Sequence, residues 1–332
     1  MLLKLIYFIS IIASFLFIFV WGKEQEKSEK NKKLSNSSSA KNCAFGNIPG
    51  YWNLEKKTGE KFSVIDSKCE LKNFMKLDIF KNTSNNKRDP VRILFLSDSV
   101  DAFIIKSVCN TFRTESQWWS LKYMDNFNTA FRFDSFNSFE FGRFQIGMRY
   151  IPGVHPTGPY HMDLIGGFFE RSRMAKREFL HQFSAHPDVI IIGSNYWDAA
   201  RLYLKHNISG SNNEGLEKSY IVGYMNNLTM WINHIRNIYG PKYHIIYHTH
   251  PQPAPNAYSQ IFNSIIWDEF NSAGKTTAMK LGLDIIDYDK IARPFPVEVL
   301  MKPDGLHPND WFGMEIFNVI LNIVFQTYRH II

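Results

Sequence analysis

The sequence predicts an α/β fold of three layers, with helices covering both faces of a short parallel sheet. Three observations predict it. First, RILFL at Arg92–Leu96, DVIII at Asp188–Ile192, HIIY at His244–Tyr247 and DII at Asp284–Ile286 are apolar runs of strand length with little polar alternation. Such runs suit strands buried on both faces, the habit of parallel sheets wrapped by helices. Second, Phe168–Phe183, about Gly215–Tyr239 and about Ala257–Leu281 are long and periodic enough for helices, and Trp311–Ile332 closes the chain as a helix apolar on most faces. Third, the alternating strand–helix order selects right-handed crossovers and a doubly covered sheet.

The 332 residues suffice for one large domain or two small ones, and a composition 45% hydrophobic and 15% aromatic excludes whole-chain disorder. A formal charge of +7 invites a nucleic-acid partner, but Lys23, Lys27, Lys30, Lys32, Lys33 and Lys41 crowd into one short stretch and supply much of the excess. No basic stripe interleaved with aromatics lies elsewhere, so a basic tether is the better account and no nucleic acid is expected.

Leu5–Trp21 is apolar apart from Ser10 and Ser14 and follows Lys4. At about 17 residues it reaches the lower limit for a bilayer span and is long for a signal-peptide core. Residues 1–22 therefore read as an uncleaved signal anchor, with cleavage near Val20-Trp21-Gly22 as the alternative; the positive charges that follow argue for the opposite topology. Either reading brings the chain to a membrane. Residues 23–42 are charged, Ser/Asn-rich and aperiodic, the composition of a flexible stalk.

Asn36, Asn82, Asn207 and Asn227 each head an N-x-S/T acceptor pattern for glycosylation, and Cys43 and Cys69 suit a disulfide in an oxidising compartment. Cys109 reads as a buried thiol in a helix after the first strand. Residues 43–90, with scattered aromatics and no long helix, form a stapled subregion packed on a catalytic domain of residues 91–332. Within that domain Gly142–Gly166 reads as an ordered loop over the sheet. These features place the domain on the lumenal or extracellular side of the secretory pathway.

Ligands of an open parallel sheet bind beyond the carboxyl ends of its strands, and polar clusters begin where the apolar runs stop. Ser99 follows Ser97-Asp98 at the first exit, ahead of a helical segment whose opening amides suit an oxyanion. A serine hydroxyl needs a base. His307 is the best one, because Asp304, three residues earlier across Gly305, can fold onto Nδ1 and turn Nε2 toward the serine. Asn195, after Gly193-Ser194, is placed either to donate to an oxyanion or to close an Asx turn.

SDSV at Ser97–Val100, GSN at Gly193–Asn195 and DGLHP at Asp304–Pro308 stand in the order of the blocks of the SGNH/GDSL hydrolases, which the region from Val91 onward resembles. The resemblance implies a flavodoxin-like SGNH-hydrolase domain with Ser99 as nucleophile, His307 and Asp304 completing the triad, and Asn195 as oxyanion donor. A second-block glycine, for which Gly142, Gly147 and Gly158 compete, is implied as another donor. With an anchor, a stalk and a Cys43…Cys69 segment ahead of the serine, the layout is similar to the PC-esterase and trichome-birefringence-like branch, which includes Golgi O-acetyltransferases of polysaccharides and sialic acids. Ser97 replaces the usual Gly, Val100 replaces Leu, and Tyr196 stands where the third block carries Asp.

The expected activity is acyl-ester hydrolysis or O-acyl transfer on a glycan or acylated small molecule, with no cofactor. Asp98, Trp197, His248 and His250 are candidate substrate contacts. Zinc also suits His248, His250, Asp304 and His307 chemically, but the two strand-end histidines lie past the expected strand, and no metal is assigned. Trp118-Trp119, Trp197 and the aromatics between Phe127 and Phe144 suit sugar stacking or the core. The rival reading is a catalytically inactive glycan-binding or structural protein on the same scaffold. Oligomeric state is left open.

Overall fold

A computed structural model describes residues 50–55, 59–64, 69, 71–74, 90–115, 136–141, 144–155, 166–206, 216–241, 243–254 and 264–327. Strands β1 (Gly50–Glu55) and β2 (Gly59–Val64) pair antiparallel as a separate hairpin. The six-stranded sheet comprises β3 (Val91–Ser97), β4 (Phe136–Phe141), β5 (Phe144–Tyr150), β6 (Val189–Ile192), β7 (His244–His248) and β8 (Asp284–Ile286), in the order β4-β5-β3-β6-β7-β8. Helices are α1 (Ser99–Glu115), α2 (Phe168–Phe183), α3 (Tyr196–His206), α4 (Lys218–Tyr239), α5 (Ser264–Lys280), the short α6 (Tyr288–Ala292) and α7 (Val297–Leu300), and α8 (Asp310–Thr327).

Strand alternation divides the core. Leu94 and Leu96 of β3, Ile190 and Ile192 of β6, and Ile245 and Tyr247 of β7 point to the face covered by α2, α4 and α5. That layer is built from Phe168, Ala175 and Phe179 of α2, Leu228, Trp231 and Ile235 of α4, and Phe270 of α5. Ile93, Phe95, Ile191 and Ile246, all fully buried, point the other way, toward α1 and α8, which pack on each other. Each such Ile or Leu contributes roughly 1.5–3 kcal/mol relative to exposure. The three layers agree with the sequence expectation.

The sheet itself needs a correction. It is mixed: β4 runs antiparallel to β5 at the edge, while β5, β3, β6, β7 and β8 are parallel. Seven residues near the start of the stretch read as a loop, Phe144–Tyr150, are β5, the inner neighbour of β3. Gly147 explains the misreading, since a glycine inside a strand signals either a break or a close approach. Here it is the latter: a Cβ at Gly147 would lie 2.4 Å from the Phe136 ring and 2.7 Å from the Phe179 ring.

Residues 43–90 include the β1–β2 hairpin and a short segment docked on α8. Asn322 accepts from the Lys72 amide (2.9 Å) and donates to its carbonyl (2.9 Å), Asn318 accepts from the Phe74 amide (2.9 Å), and the Phe74 ring stacks on Phe325 at 4.5 Å. Cys69 is buried and disulfide-bonded, whereas its expected partner Cys43 lies outside the described residues. Cys109 is a free, buried thiol in α1, pushed up to about 12 by burial. The anchor at 1–22, the stalk at 23–42, Trp118-Trp119 and the acceptor asparagines Asn36, Asn82 and Asn207 also lie outside the described residues. Among the described residues no helix is long and apolar enough to cross a membrane.

Candidate active site

β3 delivers Ser97-Asp98-Ser99 to the carboxyl edge at the middle of the sheet, and Ser99 opens α1. Asp98 caps that helix: its Oδ1 accepts from the Val100 amide (3.0 Å) and its carbonyl from the Ala102 amide (3.4 Å). The half-buried Ser99 hydroxyl therefore stands at the positive end of a 17-residue helix.

The Asp304–His307 turn reaches it from the far end of the chain. Met301 and Pro308 pair as an isolated bridge, and inside it the Lys302 amide donates to the His307 carbonyl (2.7 Å) and the Gly305 amide to the Lys302 carbonyl (2.8 Å). Gly305 has φ +71°, a left-handed conformation that a side chain rarely tolerates. Asp304 divides its carboxylate between two tasks. Oδ1 accepts from the amides of Leu306 (2.9 Å) and His307 (3.0 Å), and Oδ2 contacts His307 Nδ1 at 2.8 Å. His307 Nε2 then lies 2.8 Å from Ser99 Oγ.

A carboxylate only accepts, so Nδ1 carries the proton and Nε2 is left to accept from the serine hydroxyl. Partial burial alone would raise the Asp304 carboxyl, but the His307 amide, the His307 ring and the Leu306 amide together hold it below its ordinary value. Phe103 of α1 stacks on the imidazole at 4.1 Å and restrains its rotation.

Beneath this surface lies a sealed polar layer. His250 Nε2 sits 2.9 Å from Asp98 Oδ2, and His248 Nε2 sits 2.7 Å from Asp101 Oδ2. Ser97 Oγ lies 3.0 Å from His248 Nε2, Tyr288 donates to Asp101 Oδ1 (3.1 Å) and stacks on the His248 ring at 4.4 Å. His248 Nδ1 faces the Thr249 carbonyl at 2.9 Å, so both ring nitrogens face acceptors. Burial opposes a charged imidazole, but Asp101 outweighs it and raises His248; by the same coupling, and against burial, His248 lowers Asp101.

The candidates read from sequence separate accordingly. The structure brings Ser99, His307 and Asp304 together. It does not leave Asp98, His248 or His250 open to substrate: all three are fully buried, as a helix cap and two histidine–carboxylate pairs. Asn195 is also fully buried; one of its two Nδ2 protons goes to Asn271 Oδ1 (2.7 Å), which is itself tied to the His250 amide (3.1 Å). Trp197 is half-buried against Tyr150, ring centroids 6.3 Å apart. Gly147 lies inside β5 rather than at its end, which removes it from the oxyanion candidates, and Gly142 and Gly158 lie outside the described residues. The Asn227 acceptor pattern falls in the middle of α4, half-buried, with Thr229 Oγ1 donating to the Met225 carbonyl (2.8 Å), instead of on the open loop such a site needs. Among the described residues no three His, Cys, Asp or Glu are grouped to hold a metal ion.

Sequence reasoning missed four contributors. Phe103 is one. Tyr150, at the end of β5, turns its phenol oxygen toward the Ser99 hydroxyl and the Trp197 indole N–H; burial and then Asp98 hold that phenol well above its ordinary value, so it remains protonated. Gly153, φ +85°, stands where β5 leaves the sheet, and a Cβ there would lie 3.1 Å from Asp198 Oδ1. Asp198 is the fourth, an acid in the first turn of α3, and that position was its one cue in the sequence.

No family model and no curated protein matches the chain. Similar solved structures include a lipase/acylhydrolase from Enterococcus faecalis (14% identity, 71% of this chain and 96% of that one, TM-score 0.42). A GDSL-like lipase from Bacteroides thetaiotaomicron is another (13% identity, 71% and 88%, TM-score 0.42). A third is a catalytic mutant of an acetylxylan esterase from Geobacillus stearothermophilus (11% identity, 71% and 95%, TM-score 0.40). At such identities and scores these likenesses carry no argument, and the chemistry rests on the geometry of this chain.

Proposed function

We propose that the chain is a serine-dependent acyl-ester hydrolase or O-acyltransferase working through Ser99, His307 and Asp304. One observation carries the reading: opposite nitrogens of His307 are engaged at 2.8 Å by Ser99 Oγ and by Asp304 Oδ2. That arrangement makes a hydroxyl nucleophilic near neutral pH. Ser99 Oγ attacks the ester carbonyl while its proton passes to His307 Nε2. Negative charge develops on the carbonyl oxygen at the positive end of α1. His307 returns the proton to the departing alcohol, and the acyl group remains on Ser99. A second hydroxyl, from water or from a glycan, surrenders its proton to His307 as it attacks and takes the acyl group, and His307 passes that proton to the departing Ser99 Oγ, restoring the serine. Throughout, Asp304 stabilises the imidazolium without taking its proton.

The half-exposed Trp197 beside the nucleophile suits a sugar ring, and the sequence features of residues 1–42 suit membrane tethering in the secretory pathway, so a glycan or glycoconjugate is the proposed substrate. The test is turnover of p-nitrophenyl acetate by the purified full chain and its Ser99→Ala variant. The variant is expected to lose about 10³-fold or more in kcat. Equal rates dispose of Ser99 as nucleophile and favour the inactive glycan-binding reading.

A further inference from the structure

We propose that Asp198 is a positioning residue that ties together the two chain exits flanking Ser99 and thereby shapes the oxyanion side of the cleft; this rests on the acyl-transfer reading above. The sheet order explains why such a tie matters. β3, which delivers Ser99, lies between β5 and β6, so whatever leaves those two strands borders the nucleophile on either hand. On one side Ile151 follows β5 and donates to the Ser97 carbonyl (2.7 Å), and the chain turns through Pro152 and Gly153 to Val154. On the other side Gly193 follows β6 and donates to the Leu96 carbonyl (3.4 Å), leading to Ser194 and Asn195.

Asp198 bridges them. Its Oδ1 and Oδ2 accept from the Val154 amide (3.0 and 3.2 Å), and Oδ2 also accepts from Ser194 Oγ (2.8 Å). The Ser194 carbonyl is held from behind by Tyr224 Oη (2.5 Å). Gly153 packs its backbone against the same carboxylate, and its φ of +85° leaves no easy substitute. The carboxylate thus replaces the direct pairing that β5 and β6 cannot make, since β3 separates them.

A buried acid is an unusual tie, because its bonds depend on its charge. The groups facing it are Arg201 on its own helix, which favours the carboxylate, Asp98 at the end of β3, which opposes it, and the neutral phenols Tyr224 of α4 and Tyr247 of β7. Burial dominates and pushes the Asp198 carboxyl up to about 6. Below that pH one carboxyl oxygen becomes an O–H donor and the bonds to Val154 and Ser194 lose their charge assistance, so the Ile151–Val154 strap loosens from Ser194.

Two readouts separate positioning from mere packing. In the wild type, the Val154 amide proton followed by NMR titrates with a midpoint near 6, and in Asp198→Asn it does not. Asp198→Asn lowers kcat for p-nitrophenyl acetate by about 10²-fold with KM nearly unchanged, the loss expected when reacting groups are misplaced by about 1 Å. Should that variant fail to fold, Ser194→Ala, which deletes a single bond to the carboxylate, lowers kcat in the same direction by roughly tenfold. A Val154 signal flat across that pH range, or variants turning over at the wild-type kcat, overturns the proposal. A chain with no Ser99-dependent turnover sinks the activity and with it the positioning role, yet the Val154 titration still reports whether the tie exists.

Discussion

Asp304→Asn changes one atom that matters and keeps the shape. The asparagine carbonyl can take the place of Oδ1 and still accept from the Leu306 and His307 amides, now at 2.9 and 3.0 Å, so the turn survives. The amide nitrogen then occupies the place of Oδ2, 2.8 Å from His307 Nδ1. An NH2 group donates, so Nδ1 must accept and the ring proton moves to Nε2. There it points at Ser99 Oγ, 2.8 Å away, where a base is required. A histidine locked in the wrong tautomer costs a triad roughly 10⁴-fold in kcat, about 5.5 kcal/mol at 1.36 kcal/mol per decade. Stability changes little, because the Asp304 side chain is 38% exposed and the turn's backbone bonds are retained. The assay is kcat for p-nitrophenyl acetate beside a urea unfolding curve. A loss of less than about tenfold in a fully folded variant would refute the tautomer argument.

Two other perturbations probe the layer under the site. Gly193→Ala places a Cβ 2.0 Å from His248 Nε2, and the ring is boxed in by Tyr288 and His250, so His248 must leave Asp101. Overpacking plus a broken buried pair is expected to cost about 3–5 kcal/mol in urea unfolding, and a cost under about 1 kcal/mol counts against the contact. The Asp101–His248 pair also gives stability a two-sided pH dependence. Asp101 is held below its ordinary 3.8, so its contribution is present above that pH and is lost as pH falls through the lower folded value. His248 is raised above its ordinary 6.5, so its contribution is present below that pH and is lost as pH rises through the higher folded value. Asp101→Asn is expected to flatten both limbs of the urea-midpoint profile, the acid limb below pH 3.8 and the alkaline limb above pH 6.5; a profile identical to the wild type refutes the pairing.

Local chemistry was legible from the sequence wherever the interacting groups are neighbours in the chain. The Asp304–His307 contact spans three residues, and the DGLHP turn with its glycine is sufficient to form it. The apolar runs became β3, β6, β7 and β8 because a strand buried on both faces has to be apolar throughout. Phe168–Phe183 is a helix over the expected span because its buried residues recur every three or four positions. The hairpin of β4 and β5 escaped notice because Gly147 reads as a break unless one knows that Phe136 and Phe179 press on that spot.

What tertiary structure alone decided is who meets whom across long separations. Ser99 and His307 stand 208 residues apart, and they meet because β3 sits mid-sheet while the closing turn folds over its exit. The polar strand ends looked alike in sequence, since Asp98, His248 and His250 carry the same donors and acceptors as a binding site. Only packing under Tyr288 and Trp267 turned them into a sealed support. A side chain's chemistry is written in its identity, whereas its access to water and its distant partners follow from the order in which the strands assemble.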